Sequence, residues 1–384
     1  MSIPFNRPGV VGTELTYIAE AFAAGQISGD GVFTRRCHAL LQEILGAPKV
    51  LLTTSCTSAL DMSALLLDVG PGDEVIVPSY TFPSTVNAFV LRGARPIFAD
   101  IRRDTLNLDE ALLPSLVTSR TKAMIPVHYA GVGCEMDAIG AIARNAGAAV
   151  VEDNAHGLFG RYRGRPLGSF GALATLSFHE TKNVSCGEGG ALLVNDPSLI
   201  ARAEIIREKG TDRAAFFRGA TDKYTWVDIG SSYLPSDILA AFLWAQLDAA
   251  EQIQQRRLGI WQRYAAHLAS WASAHGVTLP HVPAHCEHPA HLFYMLMPSL
   301  EDRDGLISHL RQLGITSVFH YVPLHASPMG QRWASPGACP VTERISSCLV
   351  RLPFYTELDS DVQDAVIDAV MAYRPSQSIE CPAT

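Results

Sequence analysis

Ser177-Phe-His-Glu-Thr-Lys182-Asn183 runs into a glycine-dense turn, Gly187-Glu-Gly-Gly190, and both flanks of this stretch are apolar. Upstream, Gly171-Ala-Leu-Ala-Thr-Leu-Ser-Phe178 is small and hydrophobic enough to be a strand; downstream, Ala191-Leu-Leu-Val-Asn195 reads as another. Lys182 is therefore expected on a tight, partly buried connection between two strands. A lysine set among apolar groups has its ammonium form disfavoured by desolvation, which makes the amine nucleophilic enough to condense with an aldehyde. Most lysines are simply solvated, so this one gains meaning only from its company.

Two other segments supply that company. Gly147-Ala-Ala-Val-Val-Glu-Asp153 is a continuous apolar strand ending in two carboxylates, followed at once by Asn154-Ala155-His156. In an open α/β sheet ligands bind outside the carboxyl ends of the strands, so Asp153 and His156 are expected at that crevice. Lys49-Val-Leu-Leu-Thr-Thr-Ser55-Cys-Thr57-Ser58 reads as a strand that stops at hydroxyl residues and restarts as a helix carrying Leu60, Ala64 and Leu67. Ser55 is a plausible N-cap, and free N–H groups at Thr57 and Ser58 would make an anion site suited to a phosphate. A phosphate cradle, an aspartate at a strand end and a desolvated lysine are together what pyridoxal 5′-phosphate (PLP) needs.

Around these segments, residues 49–196 alternate apolar strand with amphipathic helix, with strands expected near 49–54, 74–79, 95–100, 122–128, 148–153, 171–178 and 190–195. The alternation predicts an α/β fold with a mostly parallel seven-stranded sheet flanked by helices. Helical spacing at Leu15, Ile18 and Phe22 predicts a helix over 13–24 that ends at the glycines of 25–31. Arg213 to Tyr233 is aromatic, basic and weakly periodic, the pattern of a long ordered loop. Helical spacing resumes over 239–247 and 252–275. Beyond lie strand candidates at 291–297 and 315–320 and helices at 301–312 and 357–373. We expect two units, 1–250 binding PLP and 251–384 forming a smaller α+β domain.

Ile3-Pro-Phe-Asn-Arg-Pro8, Gly29-Asp-Gly31, Val77-Pro-Ser-Tyr-Thr-Phe82, Val151-Glu-Asp153, Ser177 to Lys182, Tyr321-Val-Pro-Leu-His325 and Leu352-Pro-Phe-Tyr355 together resemble the DegT/DnrJ/EryC1/StrS sugar aminotransferase family over nearly the whole chain. The resemblance implies fold type I of the PLP-dependent transferases. It also implies PLP and pyridoxamine 5′-phosphate as the two cofactor forms, and a homodimer or higher oligomer with shared active sites. Glu208-Lys-Gly-Thr211, Lys223-Tyr-Thr-Trp226 and Ile229-Gly-Ser-Ser-Tyr-Leu234 are most similar to the branch that moves an amino group from L-glutamate to C4 of a dTDP-4-keto-6-deoxyhexose, giving the galacto amino sugar. Gluco stereochemistry, amination at C3 and a non-catalytic PLP-binding protein are the alternatives left open. The pyridoxamine-phosphate dehydrases of the family, which carry histidine at the lysine position, are disfavoured by Lys182.

Carried onto this chain, the family pattern gives Lys182 the covalent and proton-shuttling role and sets Asp153 against the pyridine nitrogen. It sets His156 against the ring hydroxyl, Phe82 over the ring, and Thr57, Ser58 and Ser177 around the phosphate. Gly29, Lys223, His320 and Tyr321 are expected near the substrate. Where many members read Gly-x-Asn-x-Arg, this chain has Gly230-Ser-Ser232-Tyr-Leu234. Ser232 or Ser231 therefore stands in for the asparagine that in the family reaches the neighbouring subunit's cofactor phosphate, with a shorter reach. Taken singly, Phe82 reads better as a core aromatic, the Gly29 loop equally as a helix cap and turn, and His320 better as a structural histidine.

Composition bounds the rest. The chain has 384 residues, 48% hydrophobic and 18% charged, enough for two domains with a sizeable core. A formal charge of −8 gives no electrostatic reason to expect nucleic acid or an anionic membrane. The eight cysteines include no C-x-x-C pair, and His128, Cys134, His156 and His179 match no metal-ligand spacing, so neither a disulfide framework nor a metal is expected. The N-terminus lacks a signal-like pattern and no run approaches 18 apolar residues; a cytoplasmic enzyme is expected.

Overall fold

The computed structural model describes residues 2–219 and 221–376. In chain order the helices are α1 (Glu14–Ala23), α2 (Val32–Leu45), α3 (Cys56–Leu66), α4 (Ser84–Val90), α5 (Leu113–Leu116), α6 (Met136–Ala146), α7 (Ile200–Arg207), α8 (Arg213–Phe217), α9 (Asp237–Asp248), α10 (Ala250–Ala274), α11 (Leu300–Gln312), α12 (Pro340–Cys348) and α13 (Ser360–Ala372). The strands are β1 (Lys49–Thr53), β2 (Glu74–Pro78), β3 (Arg95–Ala99), β4 (Thr121–Met124), β5 (Ala149–Asp153), β6 (Arg161–Tyr162), β7 (Arg165–Pro166), β8 (Leu173–Ser177), β9 (Gly190–Val194), β10 (Cys286–Glu287), β11 (Tyr294–Leu296) and β12 (Leu349–Arg351).

Seven strands form one sheet in the order β1-β9-β8-β5-β4-β2-β3. Only β9 runs against the rest: it is antiparallel to both β1 and β8, while β8-β5, β5-β4, β4-β2 and β2-β3 are parallel. The near-continuous apolar strands follow from this arrangement, because helices cover both faces of a parallel sheet. One face packs Leu51, Val75, Val77, Val151, Leu173 and Leu192 against α3 and α4. The opposite face packs Val50, Leu52, Ala174, Leu176 and Leu193 against α2 and α9, and Ile76, Met124 and Val150 against α6.

A separate core collects Tyr264, Leu268, Phe293, Met295, Leu306, Leu310, Val350, Val366 and Val370 from α10, α11, α13 and the β11–β12 pair. Ile3 joins that core through a parallel bridge to Ile315, so the first residues of the chain pack with the last third. The expected strand at 315–320 is absent: the segment makes only single bridges, Ile3 to Ile315 and Val318 to Arg351. Its apolar run is used instead to lead into the site. Within 213–233, α8 supplies a five-residue helix, and bridges from Thr211 to Trp226 and Glu208 to Ser232 tie the rest down. Among the described residues no helix is long and apolar enough to cross a membrane.

Candidate active site

Because the strands beneath it are parallel, β5, β8 and β2 all end at one edge of the sheet, and a cavity of about 570 Å³ opens there. Asp153 at the end of β5, Ser177 at the end of β8, Lys182 beyond it, Phe82 beyond β2 and Thr57 at the start of α3 all line it. The C-terminal core contributes His291, His320, Tyr321 and Arg351 from the other side.

Lys182 sits on the β8–β9 connection that its flanks predicted. Its N–H donates to the carbonyl of His179 at 2.9 Å, and Phe178 and Gly189 pair across the base of the turn at 2.8 Å. Burial of the amine pulls its pKa from the ordinary 10.5 down to about 8; the charge of Asp153 opposes the shift and that of Arg351 adds to it. A pKa near 8 leaves the amine partly neutral, and so nucleophilic, at physiological pH.

Asp153 is held rather than merely present. Its Oδ2 accepts from Thr85 Oγ1 at 2.7 Å and its Oδ1 from the Ala155 N–H at 3.2 Å. A hydroxyl has one proton, so Thr85 spends its own on Asp153 and must accept from Thr81 Oγ1, 2.8 Å away. His156 lies face to face on His291, with centroids 4.2 Å apart and planes at 24°. Burial, then the charges of Lys182 and Arg351, hold its pKa well below the usual imidazole value, so the ring is neutral. Among the described residues its Nδ1 is buried without a partner. His291 in turn reaches Asn183 Oδ1 at 2.9 Å, while Asn183 Nδ2 donates to the Pro289 carbonyl at 2.7 Å. The residue after Lys182 is thus tied to the ring that backs His156.

At the start of α3, Ser55 caps the helix as expected, its Oγ accepting from the Ser58 N–H at 3.0 Å. That bond revises the phosphate cradle. Ser58 spends its N–H on the cap and its hydroxyl on Thr54 (2.8 Å) and Ser55 (3.0 Å), and it does not line the cavity. Among the described residues, the Cys56 and Thr57 N–H groups are the ones without an acceptor at that end. Gly190 lets β9 approach this turn: a Cβ there would lie 2.3 Å from the Ser55 carbonyl carbon and 2.4 Å from the Cys56 nitrogen.

Phe82 stands at the cavity mouth, 57% exposed, with its ring 6.4 Å from that of Tyr321. His320 is fixed by Tyr129, whose hydroxyl lies 3.0 Å from its Nδ1, and by Tyr80, whose hydroxyl donates to its carbonyl. Gly29, Lys223 and Ser232 do not line this chain's cavity. Gly29 packs against Leu234 and Pro235, and the adjoining Tyr233 carbonyl accepts from the Thr54 N–H at 2.9 Å, beside the start of α3. The site residues that the sequence pattern did not single out are Arg351, His291 and Thr85. The Ile3-Pro-Phe-Asn-Arg-Pro8 string, which holds Phe5, and the Leu-Pro-Phe-Tyr string just after Arg351 were the signals of that part of the wall.

The donor set fits PLP: an anchored carboxylate for a ring nitrogen, an unpartnered buried imidazole nitrogen for a ring hydroxyl, a helix N-terminus for a phosphate, and a desolvated amine. The sequence profile of the DegT/DnrJ/EryC1/StrS aminotransferase family matches residues 10–371. Spr1654 from Streptococcus pneumoniae, solved in apo, PLP and PMP forms, superposes in its apo-form with a TM-score of 0.90 at 28% identity, over 97% of each chain. DesV from S. venezuelae, in complex with a ketimine intermediate, gives 0.86 at 31% identity over 96% of this chain and 98% of its own. The aminotransferase TlmJ from Streptoalloteichus hindustanus gives 0.88 at 30%, over 96% and 98%. The chain belongs to the DegT/DnrJ/EryC1/StrS aminotransferase family, and its fold and cofactor are those of the PLP-dependent transferases of fold type I.

Proposed function

We propose that this enzyme transfers the amino group of L-glutamate to C4 of dTDP-4-keto-6-deoxy-D-glucose, yielding dTDP-4-amino-4,6-dideoxygalactose and 2-oxoglutarate. The observation that carries the aminotransferase reading is the convergence of a desolvated Lys182 and an anchored Asp153 on one cavity roomy enough for a cofactor and a sugar ring. The C4 position and galacto configuration rest on Glu208 to Thr211, Lys223 to Trp226 and Ile229 to Leu234. PLP supplies an electron sink for the substrate carbon that loses or gains a proton.

The chain's own residues then divide the work. Lys182 Nζ would hold the cofactor between turnovers and would carry the proton to and from the substrate carbon. Asp153, fixed by Thr85 and the Ala155 N–H, keeps the pyridine nitrogen protonated. His156, neutral and unpartnered at Nδ1, meets the ring hydroxyl, and the His291 face keeps its plane set. With the cofactor bound, Phe82 would lie against its ring, and Thr57, the Cys56 N–H and Ser177 would take its phosphate. His320 and Tyr321 face the sugar. We further propose that residues 1–250 and 251–384 act as two units, and that a homodimer completes each site with the partner's 213–234 loop, where Tyr224 (53%), Trp226 (76%) and Val227 (50%) are exposed on this chain. Gly29, Lys223 and Ser232 lie on that same side.

Proton NMR of the product made from dTDP-4-keto-6-deoxyglucose and glutamate tests the reaction. A small H3–H4 coupling is the galacto outcome. A large one assigns the gluco sugar, and an amine-bearing C3 moves the reaction to another carbon. Sedimentation tests the assembly, since a fully active monomer would remove the shared site.

A further inference from the structure

Ser79 and His325 belong to two sequence strings that also reach the cavity wall, through Phe82 in one and Tyr321 in the other, yet both are fully buried and neither lines the cavity. His325 Nδ1 lies 2.6 Å from Ser79 Oγ, and its Nε2 lies 2.8 Å from Glu343 Oε1. The Gly337 N–H, on that same oxygen at 2.6 Å, and then His325 hold the Glu343 carboxyl below its usual pKa. The carboxylate only accepts, so Nε2 carries the proton. Ser79 Oγ accepts from the His325 N–H at 3.2 Å and has its own proton for Nδ1. Serine, histidine and a carboxylate are the members of a hydrolase triad, but here the serine meets Nδ1 instead of Nε2 and is sealed from the cavity, so the row holds rather than reacts.

What it holds is the segment 320–325. On one side, the Ser79 carbonyl accepts from the Leu324 N–H at 2.9 Å, the Tyr80 hydroxyl donates to the His320 carbonyl, and Leu324 is planted in the core between the sheet and α3 and α4. On the other side, α12 presents Glu343 and Ser346, three residues apart and so on one face, to His325 and to the Tyr321 carbonyl. The start of α12 is itself pinned by Asp100, which accepts from the Val341 N–H (2.9 Å), the Thr342 N–H (2.8 Å) and Thr342 Oγ1 (2.7 Å). Asp100 follows β3, and the Ser79 N–H donates to the Ala99 carbonyl at 2.9 Å. Both jaws of the clamp therefore rest on the adjoining ends of β2 and β3, and a wall from the C-terminal third of the chain is set in register with the sheet edge that carries Asp153.

Resting on the sugar-aminotransferase reading above, we propose that His325, bridging Ser79 and Glu343, is a positioning residue for the keto sugar: it fixes where His320 and Tyr321 stand over the cavity. Lys182, Asp153, Ser177 and Thr57 reach the cavity from the sheet's own connections, so the clamp bears chiefly on the sugar-facing wall. Loosening it should cost the sugar half-reaction more than the glutamate half-reaction, whereas a merely structural bond would lower stability and both half-reactions together.

The test uses wild type, His325→Phe, Ser79→Ala and Glu343→Gln, with retained lysine-linked PLP absorbance as the check on folding. His325→Phe keeps a ring but neither nitrogen, Ser79→Ala leaves Nδ1 without its hydroxyl, and Glu343→Gln keeps an oxygen for Nε2. His325→Phe should lower kcat/KM for dTDP-4-keto-6-deoxyglucose with pre-aminated enzyme by about 10²-fold, mainly through KM, as a small misplacement remote from the chemistry can. Ser79→Ala should lower it about tenfold, and Glu343→Gln should stay within a few-fold of wild type. The single-turnover reaction with L-glutamate should change by no more than a few-fold in all three. In apo-protein carrying 3-fluorotyrosine, the Tyr321 fluorine resonance, assigned by its loss in Tyr321→Phe, should move in His325→Phe and Ser79→Ala. If His325→Phe does not fold, Ser79→Ala carries both readouts. Equal losses in the two half-reactions, or an unmoved Tyr321 resonance in Ser79→Ala, would overturn the proposal. If wild type aminates no keto sugar, the sugar reading fails and takes this proposal with it; if wild type does and the variants match it, only the proposal fails.

Discussion

The depressed pKa of Lys182 makes a quantitative demand on cofactor capture. At pH 7 an amine of pKa about 8 is about 9% uncharged, against about 0.03% for an ordinary lysine at 10.5, a factor of about 300 in the nucleophilic form. Mixing apo-protein with PLP and following the visible absorbance of the lysine-linked cofactor should therefore give a rate that climbs about tenfold per pH unit up to about 8 and then levels off. The same shift has a stability counterpart of opposite sense. The folded state releases a proton that the unfolded chain retains, so apo-protein carries a penalty below pH 8 that is relieved as pH rises from 8 to 10.5. The drop to about 8 sets an upper limit of about 3 kcal/mol, reduced by solvent screening at the cavity. Apo Lys182→Met should accordingly be more stable than apo wild type at pH 7 in urea titrations, with the gap closing toward pH 10.5. A capture rate still rising steeply above pH 9.5, with no stability gap at pH 7, would show that the amine is solvated and refute the desolvation argument.

Asp153→Asn should retain PLP in the cavity yet slow transamination by about 10²-fold or more, because a neutral partner no longer keeps the ring nitrogen protonated; near-wild-type turnover would mean that another acid faces the ring. Asp237 accepts from the Phe33 N–H (3.2 Å), the Thr34 N–H (2.8 Å) and Thr34 Oγ1 (2.7 Å) while 1% exposed. Asp237→Ala should thus cost about 2–4 kcal/mol, seen as a lower denaturant midpoint at unchanged slope, and a shift within error would mean that α2 does not depend on this cap.

What was legible in the sequence follows from how local each signal is. The seven sheet strands were readable because strands buried on both faces are continuous apolar runs, and Asp153, Ser177 and Lys182 were readable because parallel strands end their chemistry at one edge. Ser58 was misplaced by one step of capping logic: once Ser55 is the N-cap, the Ser58 N–H belongs to the cap, and the free donors shift back to Cys56 and Thr57. The segment 315–320 looked like a strand from its Ile315, Val318 and Phe319, but those residues serve separate bridges and surfaces. Arg351 and His291 were invisible for a different reason. Each is unremarkable among its sequence neighbours and reaches the site only because the C-terminal core, with Ile3 stitched into it, folds back over the sheet edge.

Borohydride reduction of the PLP-loaded enzyme, followed by peptide mapping, tests the central claim most directly. Reduction should fix the cofactor covalently to Lys182 in wild type and leave Lys182→Ala unlabelled, with no lysine-linked absorbance as purified. A label on Lys209 or Lys223, or undiminished labelling of Lys182→Ala, would contradict the assignment of Lys182 as the residue around which this enzyme is built.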